Sequence, residues 1–398
     1  MFTLTGKYNT AQVFAAALEQ TAVAQIIELL NQEFVRESNI RIMPDAHAGA
    51  GCVIGTTMTL HDKVVPNLVG VDIGCAVRCA LLCGKPDFKK LDRVIREHIP
   101  AGFEIRRSKH RLLDHRALMD LKCAFAVNLN RADLSIGTLG GGNHFIEVDV
   151  DTAGRYWLLI HSGSRNLGKQ VAEYYQNEAI KQRATQDYGQ QALIAKLRAE
   201  NRAAEISDEL KKLNAPKIPK YLAYCDGDLF NDYIHDMEIV QEYARVNRAA
   251  IVETIDDEME FVDLNDGFET VHNYIETGLH LPMLRKGAVA AHVDQRLVIP
   301  LNMRDGTLLC RGKGNPDWNE SAPHGAGRLM GRAEAKRRLT VEQYEKSMNG
   351  IYTTCVGRAT LDEAPAAYKP AEEILAQIGA TVEVMDHWMP VYNFKSDQ

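Results

Sequence analysis

The sequence predicts an α+β fold, in which mixed β-sheets and an inserted helical hairpin form one large domain over residues 1–398. Three observations lead to this prediction. Short strand-like segments separated by glycine turns occur in both the N-terminal and the C-terminal parts of the chain. The segment from 167 to 254 has mostly helical spacing. A hydrophobic content of 45% over 398 residues is typical of a globular protein with an ample core.

The N-terminal part is expected to begin with a helix and to continue in strands. Apolar residues recur with helical spacing between residues 10 and 31, after Thr10 as a candidate N-cap. Residues 64–82 have the pattern of a strand, a central turn and a second strand. Helical spacing returns at 87–98 and at 115–127.

A β-hairpin is predicted next, after the glycines at 140–142. Its strands cover 143–150 and 156–161, and residues 151–154 form its turn. The second strand of this hairpin is predicted to end at its histidine, His161.

The helical hairpin predicted over 167–254 is interrupted at 214–219, where two prolines occur. Beyond residue 265, turns and short strands return. Further helices are predicted at 327–338, 340–348 and 370–378.

Composition and charge restrict the class of protein. A net charge of −7 argues against a chain that binds nucleic acid over its whole surface, although a local basic groove is compatible with it. No run of about 18 apolar residues is present, and the first residues lack the apolar segment of a secretion signal, so we expect no membrane partner. Eight cysteines without framework spacing predict reduced thiols in a cytoplasmic protein.

A mixed set of metal ligands is concentrated in four glycine- or asparagine-flanked segments. Asp72 and Cys75 lie three positions apart in one turn, and three other segments contribute His144, His161 and His272. A thiolate can bridge two divalent ions while imidazole and carboxylate fill the remaining positions. For each residue alone, a buried thiol or a hydrogen-bonded core histidine is an equally good explanation. Their joint occurrence favours a dinuclear site suited to phosphoryl chemistry.

A fifth segment, Pro323–Arg328, offers a nucleophile. His324 is followed by small residues and by Arg328, and a helix beginning near Ala326 would direct its positive end at an anion. The spacing recurs at His161 and Arg165, and the planar guanidinium suits phosphate. A histidine facing a triphosphate can attack phosphorus through nitrogen. The alternatives are that His324 caps a structural turn, and that the basic face of residues 328–338 is simply solvated.

Taken together, these segments resemble the RtcB family of GTP-dependent RNA ligases. The resemblance follows the order of the chain and covers almost all of it, which makes it far more specific than any single motif. The matching segments are Pro44–Gly51, Val69–Cys75, Gly141–Glu147, His161–Arg165, His272–Asn273, Arg285–Ala288, His324–Arg328 and Ala367–Lys369.

The resemblance implies an RtcB-like fold and a set of roles for these residues. Asp72, Cys75 and His144 would hold one Mn²⁺ ion, and Cys75, His161 and His272 would hold a second. His324 would attack GTP and become guanylylated, with Asp45 orienting its imidazole. The residues that the resemblance assigns to GTP are Asn143, Arg165 and Arg328 for phosphate, and Glu147, Tyr368 and Lys395 for guanine.

The activity implied is RNA repair or processing by ligation. GMP would pass from His324 to an RNA 3′-phosphate, which can arise from a 2′,3′-cyclic phosphate, and a 5′-hydroxyl would then displace GMP. The resemblance also suggests an activating partner, such as an archease or a release factor. Two alternatives stay open: a dinuclear RNA-end phosphoesterase or cyclic-phosphate hydrolase without GTP chemistry, and a non-enzymatic RNA-end-binding protein.

One segment departs from the family pattern. Where the family usually has a Pro-Gly-Ser-Met-Gly loop followed by Ser-Tyr, this chain has Pro300–Thr307. The loss of two glycines removes close backbone approach, and Arg304 is expected to add bulk and charge to the nucleotide pocket. Thr307 is expected to replace the missing serine hydroxyl. Such changes indicate a divergent paralogue, such as the type associated with release factor H.

Overall fold

The computed structural model describes residues 1–186, 190–212 and 218–396, which form seventeen strands and twelve α-helices. The strands are β1 (Phe2–Thr5), β2 (Thr10–Val13), β3 (Ile40–His47), β4 (Ile54–Thr59), β5 (Lys63–Val64), β6 (Ala76–Leu82), β7 (Phe145–Val150), β8 (Tyr156–Ser162), β9 (Cys225–Asp226), β10 (Val262–Val271), β11 (Asn273–Glu276), β12 (Met283–Lys286), β13 (Ala288–Ala290), β14 (Arg296–Asn302), β15 (Gly306–Gly312), β16 (Ser321–Pro323) and β17 (Val382–Phe394).

The helices are α1 (Gln20–Leu30), α2 (Pro66–Val69), α3 (Phe88–His98), α4 (His115–Met119), α5 (Leu129–Ser135), α6 (Arg165–Thr185), α7 (Gln190–Ala199), α8 (Ile206–Lys212), α9 (Gly227–Met259), α10 (Arg332–Arg338), α11 (Val341–Ser347) and α12 (Ala371–Ile378). The α+β class predicted from the sequence is confirmed. None of the described helices is both long and apolar enough to cross a bilayer.

Two large sheets organise the chain. One has six strands in the order β1-β2-β3-β4-β12-β11, and the other has seven in the order β10-β6-β8-β7-β17-β15-β14. All neighbours in the seven-stranded sheet are antiparallel, whereas β2 and β3 of the other sheet are parallel. Only His272 separates β10 from β11, so the two sheets are connected at that residue.

Helices α6 and α9 pack against each other and close one side of the core. Val171 and Tyr175 of α6 and Tyr233 and Met237 of α9 are buried in the same apolar cluster. These two helices form most of the helical segment predicted over 167–254. The break predicted at 214–219 lies largely outside the described residues.

Several local predictions are wrong, and tertiary contacts explain why. Thr10 begins strand β2, which pairs with β1 and β3, and the first helix begins only at Gln20. The helix predicted over 115–127 ends at Met119, because the N–H groups of Lys122 and Cys123 donate to the buried carboxylate of Asp236 instead. The predictions of α3, α11, α12 and the β7–β8 hairpin are confirmed.

Two buried side chains of α9 connect the loops around the ends of the central strands. Asn247 accepts hydrogen bonds from the N–H groups of Gly137 and Thr138 and donates to Ser162 Oγ and the Gly163 carbonyl. Arg248 donates to the carbonyls of Gly74 and Ser162 at 2.8 and 2.9 Å and pairs with Glu269 at 2.8 Å. Burial alone would raise the pKa of Glu269, but the guanidinium of Arg248 lowers it below its ordinary value.

We expect Arg248→Met to destabilise the fold by about 3–5 kcal/mol, because two carbonyls lose a buried donor and Glu269 loses one of its two guanidinium partners, keeping Arg78. The free energy of unfolding from urea titrations measures this loss. The control is Arg245→Met, three residues earlier, where an exposed side chain pairs with Glu242. The control should cost less than about 1 kcal/mol. Equal losses in both variants would contradict the role given to Arg248.

Candidate active site

The four predicted metal ligands of the central sheet lie at one end of four adjacent strands. Cys75 and His144 immediately precede β6 and β7, whereas His161 is the penultimate residue of β8 and His272 follows β10. Because neighbouring strands are antiparallel, the starts of two and the ends of the other two meet at the same edge. In the register, His161 lies opposite Val77 on one side and Phe145 on the other.

The ligand atoms form two overlapping groups with Cys75 in common. Cys75 Sγ lies 3.5 Å from His144 Nε2 and 3.3 Å from His161 Nε2, and His161 Nε2 lies 3.3 Å from His272 Nε2. Asp72 Oδ2 is 2.9 Å from His144 Nε2. All ligand atoms within each group, Cys75/His161/His272 and Asp72/Cys75/His144, lie within 4.8 Å of one another. The structure therefore brings together all five predicted ligands.

Backbone carbonyls orient two of the imidazoles as ligands. The Nδ1 atoms of His144 and His161 lie 2.9 and 3.2 Å from the carbonyl oxygens of Leu139 and Asn143. Since a carbonyl only accepts, each Nδ1 carries a proton, so Nε2 is the atom of each ring that would bind a cation; without a cation, Nε2 of His144 donates to Asp72. Burial, followed by the charge of His144, lowers the pKa of His161 well below its ordinary value. Burial and His324 lower the pKa of His272 in the same way, so both rings are neutral.

The two anionic ligands have opposite pKa shifts. Burial and then the charge of Asp72 raise the pKa of the Cys75 thiol well above its ordinary value. Burial alone would raise the pKa of Asp72, but the hydrogen bond and charge of His144, with Arg165, lower it below its ordinary value. Without a cation the thiol therefore stays protonated. Closely spaced sulfur, imidazole and carboxylate donors fit divalent transition-metal ions, which would stabilise the thiolate.

His324 stands beside this cluster, with its ring centroid 5.0 Å from that of His272. Its Nδ1 lies 2.6 Å from Oδ2 of the fully buried Asp45, and its backbone N–H donates to the same oxygen at 3.2 Å. Asp45 therefore holds the proton on Nδ1 and leaves a lone pair on Nε2. Because His324 lines a cavity of about 510 Å³, it is accessible to a ligand.

The cavity contains most of the residues that the sequence assigns to a nucleotide. Predicted residues that line it are Asn143, Glu147, Arg328, Tyr368 and Lys395, together with His161 and His324. Residues that the sequence analysis missed are His47, Phe145, Met303, Glu363 and Asn393. His47 belongs to the Pro44–Gly51 segment and Phe145 to Gly141–Glu147. Because both segments match the family pattern, these two residues could have been predicted to line the cavity.

Glu363 is the most consequential of the missed residues. Its buried carboxylate accepts from Arg332 at 2.6 Å, Tyr368 at 2.7 Å, Lys395 at 3.0 Å and Arg328 at 3.2 Å. Burial alone would raise its pKa, but the positive charges of Lys395 and Arg332 hold the pKa at about 2. This end of the cavity is thus rich in hydrogen-bonding groups, and its three cationic side chains outnumber the one carboxylate that they share.

The predicted basic helix differs from the observed one. Helix α10 begins at Arg332 and not near Ala326, because Gly327 has a φ of +75° and packs against β3. A Cβ at Gly327 would lie 2.3 Å from the Asp45 carbonyl oxygen. Four of the five basic side chains of residues 328–338 have carboxylate partners. The pairs are Arg328–Glu363, Arg332–Asp362, Lys336–Asp362 and Arg338–Glu334. Arg337 is exposed and pairs with no described carboxylate, so the segment is only partly neutralised.

Two predicted nucleotide residues do not line the cavity. Arg165 lies behind the metal cluster, where it donates to the Gly102 carbonyl and approaches His144 Nδ1 at 3.4 Å. Its φ of +55° places it in the left-handed region, and its guanidinium occupies the space that a Cβ at Gly140 would need. Thr307 is fully buried in β15, so its hydroxyl does not replace a serine at the cavity.

The divergent loop leaves the cavity open. Arg304 does not enter it, because its side chain is 51% exposed and pairs with Asp305 at 2.6 Å. Leu301 and Met303 are buried instead, and Tyr344 donates its hydroxyl to the Met303 sulfur at 2.9 Å. The loop therefore contributes an apolar wall, and the expectation of added charge is wrong.

A buried carboxyl pair lies beneath the cavity on β7. Glu147 accepts from Asn393, whereas both oxygens of the fully buried Asp149 lack a hydrogen-bond partner among the described residues. Asp149 lies opposite Trp157, which stacks on Trp388. Burial raises the pKa of both carboxyls, and the charge of Glu147 raises that of Asp149 further. Asp149 is therefore protonated in the folded protein at a pH where it ionises in the unfolded chain.

This shift makes stability depend on pH. Between the ordinary pKa of about 4 and the raised value, unfolding releases the Asp149 proton, so stability falls by about 1.4 kcal/mol per pH unit as pH rises. We expect Asp149→Asn to flatten this slope in urea titrations between pH 5 and 8. Asp120→Asn, at an exposed position, is the control and should keep the wild-type slope. An unchanged slope in Asp149→Asn would contradict the protonated state.

Comparison with known proteins agrees with this geometry. The family described as tRNA-splicing ligase RtcB matches residues 25–396. The RNA-splicing ligase RtcB of Escherichia coli K12 and the RNA-splicing ligase RtcB1 of a second E. coli strain are each 28% identical to this chain over 404 residues, with 92% of both chains covered. The tRNA-splicing ligase RtcB of Aeropyrum pernix is 27% identical over 432 residues, covering 86% of this chain and 84% of its own. Since the family match extends over nearly the whole sequence, this chain belongs to the RtcB family.

Proposed function

We propose that this protein is a GTP-dependent RNA ligase that joins a 3′-phosphate or 2′,3′-cyclic phosphate end to a 5′-hydroxyl end. The observation that carries the proposal is the position of His324. Its Nδ1 is held by Asp45, its ring adjoins that of the metal ligand His272, and it lines the cavity that contains the proposed guanine-binding residues. The names of the relatives, which describe ligases of RNA and of spliced tRNA, support the same reaction.

His324 is the nucleophile in this proposal. Nε2 forms a bond to the α-phosphorus of GTP while the bond from that phosphorus to the pyrophosphate oxygen breaks, so pyrophosphate leaves and GMP stays on the histidine. Asp45 keeps the proton on Nδ1 and stabilises the positive charge that develops on the ring. GMP then passes to the RNA 3′-phosphate and leaves when the 5′-hydroxyl attacks that phosphorus.

Asp72, Cys75, His144, His161 and His272 would hold two divalent cations, which we propose are Mn²⁺. When bound, such ions neutralise phosphate charge beside His324. The residues around Glu363 have a separate task in this proposal, which is to bind the base. Tyr368 and Lys395 offer a ring face and a donor to guanine, and Glu147 offers an acceptor to its N–H groups.

The first test is covalent labelling. Incubation with α-labelled GTP and Mn²⁺ should label the wild type through an acid-labile bond, and His324→Ala should abolish labelling. Asp45→Asn should reduce the labelling rate by about 100-fold or more, since it removes the orienting charge. His235→Ala, at a half-exposed histidine on α9, is the control and should label normally.

Two outcomes would overturn the proposal. Ligation by His324→Ala at the wild-type rate would exclude this histidine as the nucleophile. Hydrolysis of a 2′,3′-cyclic phosphate end without GTP, together with the absence of any labelled adduct, would favour the phosphoesterase alternative.

The second test counts metal ions. Isothermal titration of the metal-free protein with Mn²⁺ should show two sites in the wild type and one in His272→Ala, because that variant retains the Asp72/Cys75/His144 group. His61→Ala, at an exposed histidine, is the control and should bind two ions. Two ions in His272→Ala, or none in the wild type, would contradict the assignment.

A further inference from the structure

An exposed aromatic side chain stands next to the metal centre. Phe103 is 88% exposed, and it belongs to a segment, residues 101–109, that we call the Phe103 loop. Covering an exposed phenylalanine ring with another apolar surface removes it from water and is favourable, so this ring can bind a flat apolar surface.

Hydrogen bonds connect the Phe103 loop to a metal ligand. The N–H of Gly102 donates to the Gly140 carbonyl at 3.0 Å, and the Gly102 carbonyl accepts from Arg165 Nη2 at 3.1 Å. The same guanidinium approaches Nδ1 of His144 at 3.4 Å. The Phe103 loop is therefore held at the edge of the metal cluster, and its aromatic ring faces solvent there.

The charges around the Phe103 loop are basic. Residues 104–116 contain five lysines and arginines against two acidic residues. Arg131 donates to the Phe103 carbonyl at 2.9 Å and forms no ion pair with any described carboxylate. Arg107 is exposed and, within the described chain, likewise has no carboxylate partner. These guanidiniums stay available for phosphate, unlike those of Arg332 and Arg338 on α10.

We propose that the Phe103 loop binds single-stranded RNA, with one base stacked on Phe103 and adjacent phosphates beside Arg107 and Arg131. A single solvent-facing ring can cover only a base that is not already stacked in a duplex. The loop is bonded to Gly140, four residues before His144, so a strand held there lies near the segment that carries this candidate ligand. This inference rests on the proposed function, because it assigns a position to the RNA substrate of that function.

Direct binding tests the proposal with the full chain. The probe is a single-stranded RNA of about twelve nucleotides with a 5′-hydroxyl end, labelled for fluorescence anisotropy, in a series that carries 2-aminopurine at successive positions. Phe103→Ala should weaken binding by about 5- to 50-fold and abolish the 2-aminopurine quenching at one position, whereas Phe103→Trp should retain both. The matched control is Phe125→Ala, which removes another exposed ring, 80% exposed and edge-on to Tyr174, and should bind like the wild type.

Charge and strandedness give independent measurements. Arg107→Ala should lower the slope of log Kd against log salt by about one, and Lys7→Ala, which removes an exposed lysine on the other sheet, should not. A duplex RNA of the same length should bind to the wild type and to Phe103→Ala with equal affinity. Wild-type affinity in Phe103→Ala, equal losses in Phe125→Ala, or a duplex that depends on Phe103 would overturn the proposal.

The RNA-binding experiments and the GTP-labelling experiment can fail independently of each other. Formation of the labelled His324 adduct needs GTP and not RNA, so Phe103→Ala should label like the wild type. If the wild type forms no adduct but its RNA binding depends on Phe103, the ligase proposal fails and the binding surface stands. If the adduct forms and Phe103→Ala binds RNA like the wild type, the proposed binding surface is wrong and the ligase proposal stands.

Discussion

Two adjacent buried side chains of α9, Asn247 and Arg248, hold together the loops on which the active site depends. They bind the backbone at Gly74, next to Cys75, and at Ser162, next to His161. A strand end has unpaired backbone groups, and burying them without partners costs about 1–3 kcal/mol each. Because α9 supplies those partners, the strand ends can converge in the interior, and their ligand atoms lie 3.3–3.5 Å apart.

The site divides into two regions with different electrostatics, and His324 lies between them. The metal cluster is a concentration of electron-pair donors, which gains stability when cations enter it. The region around Glu363 joins one carboxylate to Arg328, Arg332 and Lys395, so it is rich in hydrogen-bonding groups and carries a net positive charge. If GTP binds as proposed, its phosphates would lie beside the cations of the metal cluster, and its base would meet the hydrogen-bonding groups around Glu363.

The candidate metal ligands could be predicted from the sequence, but many of the contacts and backbone conformations around the site could not. Asp72, Cys75 and the three histidines stand in short glycine-flanked motifs, and the structure brings them together. The basic helix could not be predicted, because only contact with β3 shows that Gly327 prevents it, and only the fold places Asp362 and Glu363 beside its arginines. Likewise, the helix predicted after Thr10 is wrong because residues 10–13 pair with β1 as a strand. The charge predicted at the cavity is wrong because Arg304 pairs with Asp305 outside it. Each of these errors involves a partner distant in sequence or a backbone conformation that composition does not reveal.

The segment Gly140–His144 connects these features. Asn143 lines the cavity, His144 is a candidate metal ligand, and Gly140 accepts the hydrogen bond from the Phe103 loop. If nucleotide and RNA bind as proposed, they approach the cluster from the two sides of this one segment. Close packing explains the glycine at position 140, since a Cβ there would displace the guanidinium of Arg165. The backbone of Arg165 has a left-handed conformation, which is unfavourable. Because Arg165 already adopts this conformation in the folded protein, the free-energy cost of ordering it arises during folding and not when substrates bind. A wall that is rigid before binding can position two substrates against one imidazole without a separate closing movement.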